Sequence, residues 1–172
     1  MGLGQTMITA AFLTVLTIAI LNANRLLVDS QLQSYSAVAL DHAANFAQAL
    51  LAEIGRKKFD HNELDDIYQL PTNFTATSAL GPEAGESVTP WPDRDPWKSL
   101  SLYNDVDDYH GYARILDLNH LKGFKVTVRV YYVSSVDLNT QTSVQTYFKR
   151  IDASVEHPQF LPKVTFSSLA TY

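Results

Sequence analysis

Met7-Ile-Thr-Ala-Ala-Phe-Leu-Thr-Val-Leu-Thr-Ile-Ala-Ile-Leu21 is the stretch that decides the reading of this chain. It is the centre of a segment, residues 1–24, that carries no charged side chain; the first charge is Arg25. From Arg25 the chain runs to Gly55 without glycine or proline. Within that run Tyr35, Ala39, Ala43, Phe46, Leu50 and Ile54 recur at three- and four-residue spacing, which predicts an amphipathic helix with a core-facing stripe. Asp29, Gln33, Asp41, Gln48 and Glu53 leave the other faces polar. Gly55 and Arg56-Lys57-Lys58 stand where a helix C-terminus favours them. One helix from about Leu3 to about Arg56 is therefore expected, roughly 80 Å long and too long for one small domain to cover.

The uncharged segment is just long enough to cross a bilayer, which takes about 20 helical residues. Thr6, Thr9, Thr14 and Thr17 weaken it, but their hydroxyls can bond back to the helix's own carbonyls or to neighbouring helices. Nothing basic precedes the apolar run, unlike a secretory signal, and the nearest positive charge follows it, which is a poor orientation signal for a new anchor. Both features are accounted for if Met1 is a processed end from which a basic leader has been removed.

The rest of the chain bounds the function classes. With 46% apolar residues in 172 and a net charge of −5, it suits one modest domain plus an appendage. A sequence pI near 5.4 and scattered Lys and Arg argue against a nucleic-acid face. No cysteine occurs, so disulfides and thiolate metal sites are excluded. Residues 71–96 hold five of the seven prolines together with Gly81 and Gly85, and predict a long loop over the head, anchored by Trp91 and Trp97. A short helical turn is expected over His61 to Leu70, stopped by Pro71. Beyond the loop, alternation predicts strands at Lys125–Val133, Thr146–His157 and Val164–Ala170, with a weaker one near Tyr112–Leu116. Asp137–Thr142 is polar turn material, which makes the first two strands a hairpin. The fold class is α+β, a long N-terminal helix packed on a small antiparallel sheet. Three parts follow: a hydrophobic half-helix, 1–24; an amphipathic half, 25–58; and a globular head, 59–172, with its long loop over 71–111 and its sheet over 112–172.

Chemistry-bearing motifs are few. Asp105, Asp107 and Asp108, beside Asn104, offer hard oxygen ligands for Ca²⁺, although the spacing is not that of an EF-hand loop. The competing reading is an acidic turn whose carboxylates cap backbone N–H groups. Asn73-Phe74-Thr75 matches a glycosylation sequon. Gly2-x-Gly4 is no nucleotide loop, because no strand precedes it. The five histidines, at 42, 61, 110, 120 and 157, lack the spacing of a zinc helix. No Ser/His/Asp constellation has local support, and no enzymatic activity is expected. No cofactor other than Ca²⁺ is suggested.

This order of parts resembles the type IV pilin and pseudopilin superfamily. The resemblance covers the whole layout and is strongest at three places: Met1 to Leu21, with Gln5 alone where the family usually has glutamate; Asn104-Asp-Val-Asp-Asp-Tyr-His-Gly111; and the ending, Phe148-Lys-Arg-Ile-Asp-Ala-Ser-Val155 followed by Val164-Thr-Phe-Ser-Ser-Leu169. It implies a leader cut by a prepilin peptidase after a glycine and a methylated N-terminus at Met1. It also implies a hydrophobic half-helix that sits in the inner membrane and then packs in a filament core through Met1, Gln5, Met7, Ile8, Phe12, Leu13, Leu16 and Ile20. The implied partners are other copies of the chain in a helical homopolymer, the inner membrane, the peptidase and the pilus assembly machinery, with no nucleic acid. The implied location is a cell-surface filament reached through the inner membrane. Two positions depart from the family pattern. Gln5 cannot cancel a neighbour's N-terminal charge, and Asn22 stands where many members have proline. Some members at filament tips also lack the glutamate, so a minor pseudopilin or a membrane-anchored secretion component is the alternative role.

Overall fold

The computed structural model describes residues 2–64 and 68–172. Helix α1 spans Leu3–Ile54, and a single turn, α2, spans Ser99–Leu102. Strands β1 (Ala113–Asp117), β2 (Lys122–Tyr132), β3 (Phe148–His157) and β4 (Leu161–Thr171) form one antiparallel sheet in the order β1-β2-β3-β4. The fold is α+β, with the long N-terminal helix packed against this sheet. The chain divides into two units, Met1–Val38 and Ala39–Tyr172.

In the second unit α1 buries Ala39, Ala43, Ala47, Leu50 and Ile54. Facing them are Phe124, Val126, Val128 and Val130 of β2, with Ile151, Ala153 and Val155 of β3. Alanine at three successive turns lets the helix backbone approach the sheet, and the larger Phe46 meets Phe124 edge-on at 5.3 Å between centroids. Tyr35, predicted at the head of this stripe, belongs to the first unit and is exposed there; Ala47, absent from the predicted stripe, is buried instead. Glu53 also departs from its predicted role on a solvated face. Its carboxylate receives both a charged hydrogen bond pair from Arg114 Nη2, at 3.0 and 2.9 Å, and the Tyr109 hydroxyl at 2.8 Å.

The strands extend slightly differently from their predicted spans. β2 begins at Lys122, three residues early, and ends at Tyr132. β3 begins at Phe148 because the Thr146 hydroxyl donates to Val133 O at 2.8 Å and holds that residue in the connection. β4 is wider than predicted and includes Pro162, which an edge strand tolerates because its outward N–H has no ladder partner to lose. The β2–β3 connection turns at Asp137, whose carbonyl accepts from Thr140 N at 3.0 Å.

The predicted helical turn over His61–Leu70 is not found at residues 61–64 or 68–70, which are turn and irregular; residues 65–67 lie outside the described residues. A 3₁₀ turn follows at Pro71–Asn73. The 71–96 loop is held to the head by Phe74, Val88 and Asp93, all buried. Of the two tryptophans predicted to anchor it, Trp97 lies under the Arg114 guanidinium at 4.6 Å, while Trp91 touches Tyr112 edge-on and stays half-exposed. Asp93 is the stronger tether. It accepts from Lys98 N, Ser99 N and the Tyr112 hydroxyl at 3.2, 3.1 and 2.7 Å.

Candidate functional site

In the first unit every described residue from Gly2 to Tyr35 is exposed, and all but Gly2 lie in α1. Leu3, Met7, Ile8, Phe12, Leu13, Leu16, Ile20 and Leu21 are large apolar side chains in contact with solvent. The helix is long and apolar enough to cross a membrane, and no part of its apolar window is buried. The four threonines satisfy themselves. Thr6 donates to Leu3 O, Thr14 to Ala10 O and Thr17 to Leu13 O, each at 2.8 Å, and Thr9 donates to Gln5 O. Their polarity is spent within the helix, so they add little cost in lipid or in a dry bundle. Asn22 and Asn24 are both helical. Gln5 is exposed, and Met1 lies outside the described residues.

The second place is the acidic turn of the head. Its position is fixed by the chain leaving α1. Lys58 N donates to Asn104 O at 3.3 Å and Val106 N donates to Lys58 O at 2.9 Å. Tyr109 is pinned between Tyr103 and Tyr112, at 4.8 and 5.5 Å between centroids. Gly111 closes the turn at φ +81°, a region that side chains disfavour, and donates its N–H to Val128 O at 3.0 Å.

Asp105, Asp107 and Asp108 are all completely buried, and the structure gives them different tasks. Asp105 Oδ1 caps the N–H groups of Asp107 and Asp108 at 2.8 and 3.2 Å. Asp108 Oδ2 caps those of Asn104 and Asp105 at 2.7 and 3.1 Å. These are the turn-capping bonds that the sequence offered as one reading. Asp107 is drawn elsewhere: its Oδ1 accepts from the Lys149 ammonium at 2.6 Å.

Lys149 was not singled out from the sequence. It is fully buried, and it also donates to Asp60 Oδ2 and Phe59 O, both at 2.7 Å, with its charge 4.5 Å from the Phe59 ring centroid. Asp60 in turn accepts from Thr75 N, the Thr75 hydroxyl, Asn62 N and the Tyr132 hydroxyl. Burial alone would raise the Asp60 carboxyl, but the Lys149 charge and these donors hold it below the usual carboxylate range. Burial and the Asp60 charge push the Tyr132 phenol well above its ordinary value. A sequence signal existed: Lys149 shares the inward phase of β3 with Ile151, Ala153 and Val155.

Glu83 and Glu86 of the long loop converge on Asp108, and these two were also missed. One carboxylate oxygen from each of the three lies within 4.8 Å of the others. Glu83 Oε2, Asp105 Oδ2, Asp107 Oδ2 and Asp108 Oδ1 are buried with no hydrogen-bond partner. Burial and neighbouring carboxylates push Glu83 up to about 8 and Asp105 up to about 9. The Asn104 side-chain amide donates to Glu86. Nothing between residues 83 and 108 in the linear sequence signals this meeting, because the loop's path creates it.

The His110 ring bonds Val130 O at 2.6 Å and the His157 ring bonds Lys122 O at 3.0 Å, while a ring nitrogen of His61 lies within 4.8 Å of a carboxylate oxygen of Glu83 and of Asp105. Asn73 is exposed, but the Thr75 hydroxyl of the same sequon is buried against Asp60 at 3.0 Å. No protein-family profile, curated protein or solved structure matches this chain.

Proposed function

We propose that this protein is the structural subunit of a type IV pilus-like extracellular filament, assembled by packing its N-terminal helices into a shared core. The observation that carries this reading is the length of exposed apolar helix. Large apolar side chains stay exposed from Leu3 through Leu26, Leu27, Val28 and Leu32 to Val38. At 1.5 Å per residue that is ~54 Å of helix, whereas the hydrocarbon core of a bilayer is about 30 Å thick. A lone membrane anchor would leave the second part uncovered. Neighbouring copies of the same helix would cover both parts, each buried Leu, Ile or Phe contributing roughly 1.5–3 kcal/mol against exposure to water. The apolar circumference of residues 3–21 suits lipid before assembly and a dry bundle after it.

A chain beginning at Val28 tests this. It keeps all of the second unit, so it is expected to fold, stay monomeric by sedimentation and form no filaments under the electron microscope, while the full chain forms them. Filaments from the shortened chain would rule out assembly through the apolar helix.

The neutral Gln5 favours a second reading, a minor subunit or membrane-anchored secretion component that primes assembly and is present only in traces. Gln5→Glu distinguishes the two. In a filament core the added carboxylate meets a neighbour's N-terminal amine, so assembly is expected to persist. A lone buried charge is strongly disfavoured. Loss of sheared filaments with the variant still in the membrane fraction would therefore favour the minor role.

A further inference from the structure

We propose that Glu83, Glu86 and Asp108 form a Ca²⁺ site that ties the 71–96 loop to the acidic turn at 104–109. The site stands on the head's own geometry and does not depend on filament assembly. Asp108 is completely buried; its Oδ2 is used by two backbone N–H groups, its Oδ1 has no partner, and one of its oxygens lies within 4.8 Å of an oxygen of Glu83 and of Glu86. Glu83 likewise buries an oxygen that has no partner. Among the described residues no ion pair reaches any of the three, and Lys149, the buried cation nearby in the fold, is committed to Asp60 and Asp107. Asp108 is out of water and Glu83 and Glu86 are half-buried, and carboxylates this close repel one another unless a cation or a shared proton lies between them.

The donor set selects the cation. Three carboxylates with no thiol form a hard, all-oxygen site, which favours Ca²⁺ or Mg²⁺ over zinc or copper. Glu83 and Glu86 sit on an irregular loop and can each bind through one oxygen or two, while Asp108, on a single 3₁₀ turn, offers its Oδ1. That freedom suits the variable six- to eight-fold coordination of Ca²⁺ better than the strict octahedron of Mg²⁺. Asp105, whose second oxygen is also buried without a partner, and His61 each place a polar atom within 4.8 Å of a Glu83 oxygen and stand outside this group of three. Asp107 takes no part, because Lys149 holds it.

The test uses the full-length chain in detergent, stripped with EDTA and then titrated with CaCl₂ alone or MgCl₂ alone. Calorimetry is expected to show one Ca²⁺ per chain, with Kd of about 10⁻⁴–10⁻³ M, as in extracellular calcium modules. Near-ultraviolet circular dichroism is expected to show the melting temperature rising by ~8 °C at a Ca²⁺ concentration a hundredfold above Kd. Glu83→Gln combined with Glu86→Gln should fold at least as well in EDTA, because it relieves repulsion, and should lose the Ca²⁺-dependent rise. Asp108→Asn should lose it too, while Glu156→Gln, on the exposed face of β3, should keep it. Absence of any Ca²⁺-dependent rise would mean that the carboxyls share protons instead, and would overturn the site. An undiminished rise in the Glu83/Glu86 double variant would place the cation elsewhere. An equal response to Mg²⁺ would overturn the assignment to Ca²⁺.

Discussion

Leu13→Asp is expected to abolish filaments. Leu13 lies in the middle of the apolar run, it is exposed in the single chain, and its carbonyl already accepts the Thr17 hydroxyl. In the proposed assembly its side chain meets lipid and then other helices. A carboxylate at the centre of a membrane helix costs about 2.5–3.5 kcal/mol on insertion scales. In a helical polymer the same cost recurs in every subunit, and no basic side chain among residues 1–24 can offset it. The yield of sheared filaments, measured beside the amount of subunit in the membrane fraction, reads the effect. Near-normal yield would show that residue 13 faces water in the assembled state, and the helix-core assignment would fall with it.

Lys149→Met is expected to produce the largest loss of stability in the head. Methionine keeps much of the apolar stem but removes the charge that, among the described residues, pairs with Asp60 and Asp107, both fully buried. Removing one member of a buried ion pair typically costs 3–5 kcal/mol, because the remaining charge is left without compensation. Urea denaturation of the chain starting at Val28 measures it, and a loss below about 1 kcal/mol would contradict the assigned network. The pH dependence carries a sign. In the native protein Asp60 is held below its ordinary value of 3.8. Its contribution is complete above pH about 4 and disappears as pH falls through the lower folded value. In the Lys149→Met variant burial acts on Asp60 without the ammonium, its folded pKa rises above the unfolded one, and stability should increase as the pH falls from neutral toward 4. A variant that kept the native acid limb would show that Lys149 does not control the carboxyl.

The Arg114–Glu53 pair illustrates how much of the interior was hidden from a linear reading. Glu53 lies on the polar side of the helix pattern, and only the meeting of α1 with β1 turns it into a half-buried acceptor for a guanidinium stacked on Trp97. The acidic motif behaved the same way. Asp105, Asp107 and Asp108 were legible as a group of carboxylates and as turn caps, but not as groups with separate partners. Those partners are 42 residues away at Lys149 and 22 to 25 residues away at Glu86 and Glu83.

The sequence by itself determined what depends on periodicity: the long helix from the uncharged run and the 3–4 spacing, the strands from alternation in residues 113–171, and the α+β class. Local side-chain and backbone preferences act over a few residues and repeat along the chain, so they are written in it directly. The tertiary structure alone decided which buried charges meet. It brought Lys149 to Asp60 and Asp107, and Glu83 and Glu86 to Asp108. Such pairings arise because an irregular loop and a sheet enclose the same small volume of low dielectric, where every carboxylate must find a donor or a cation. No spacing rule relates those positions; only the path of the folded chain does.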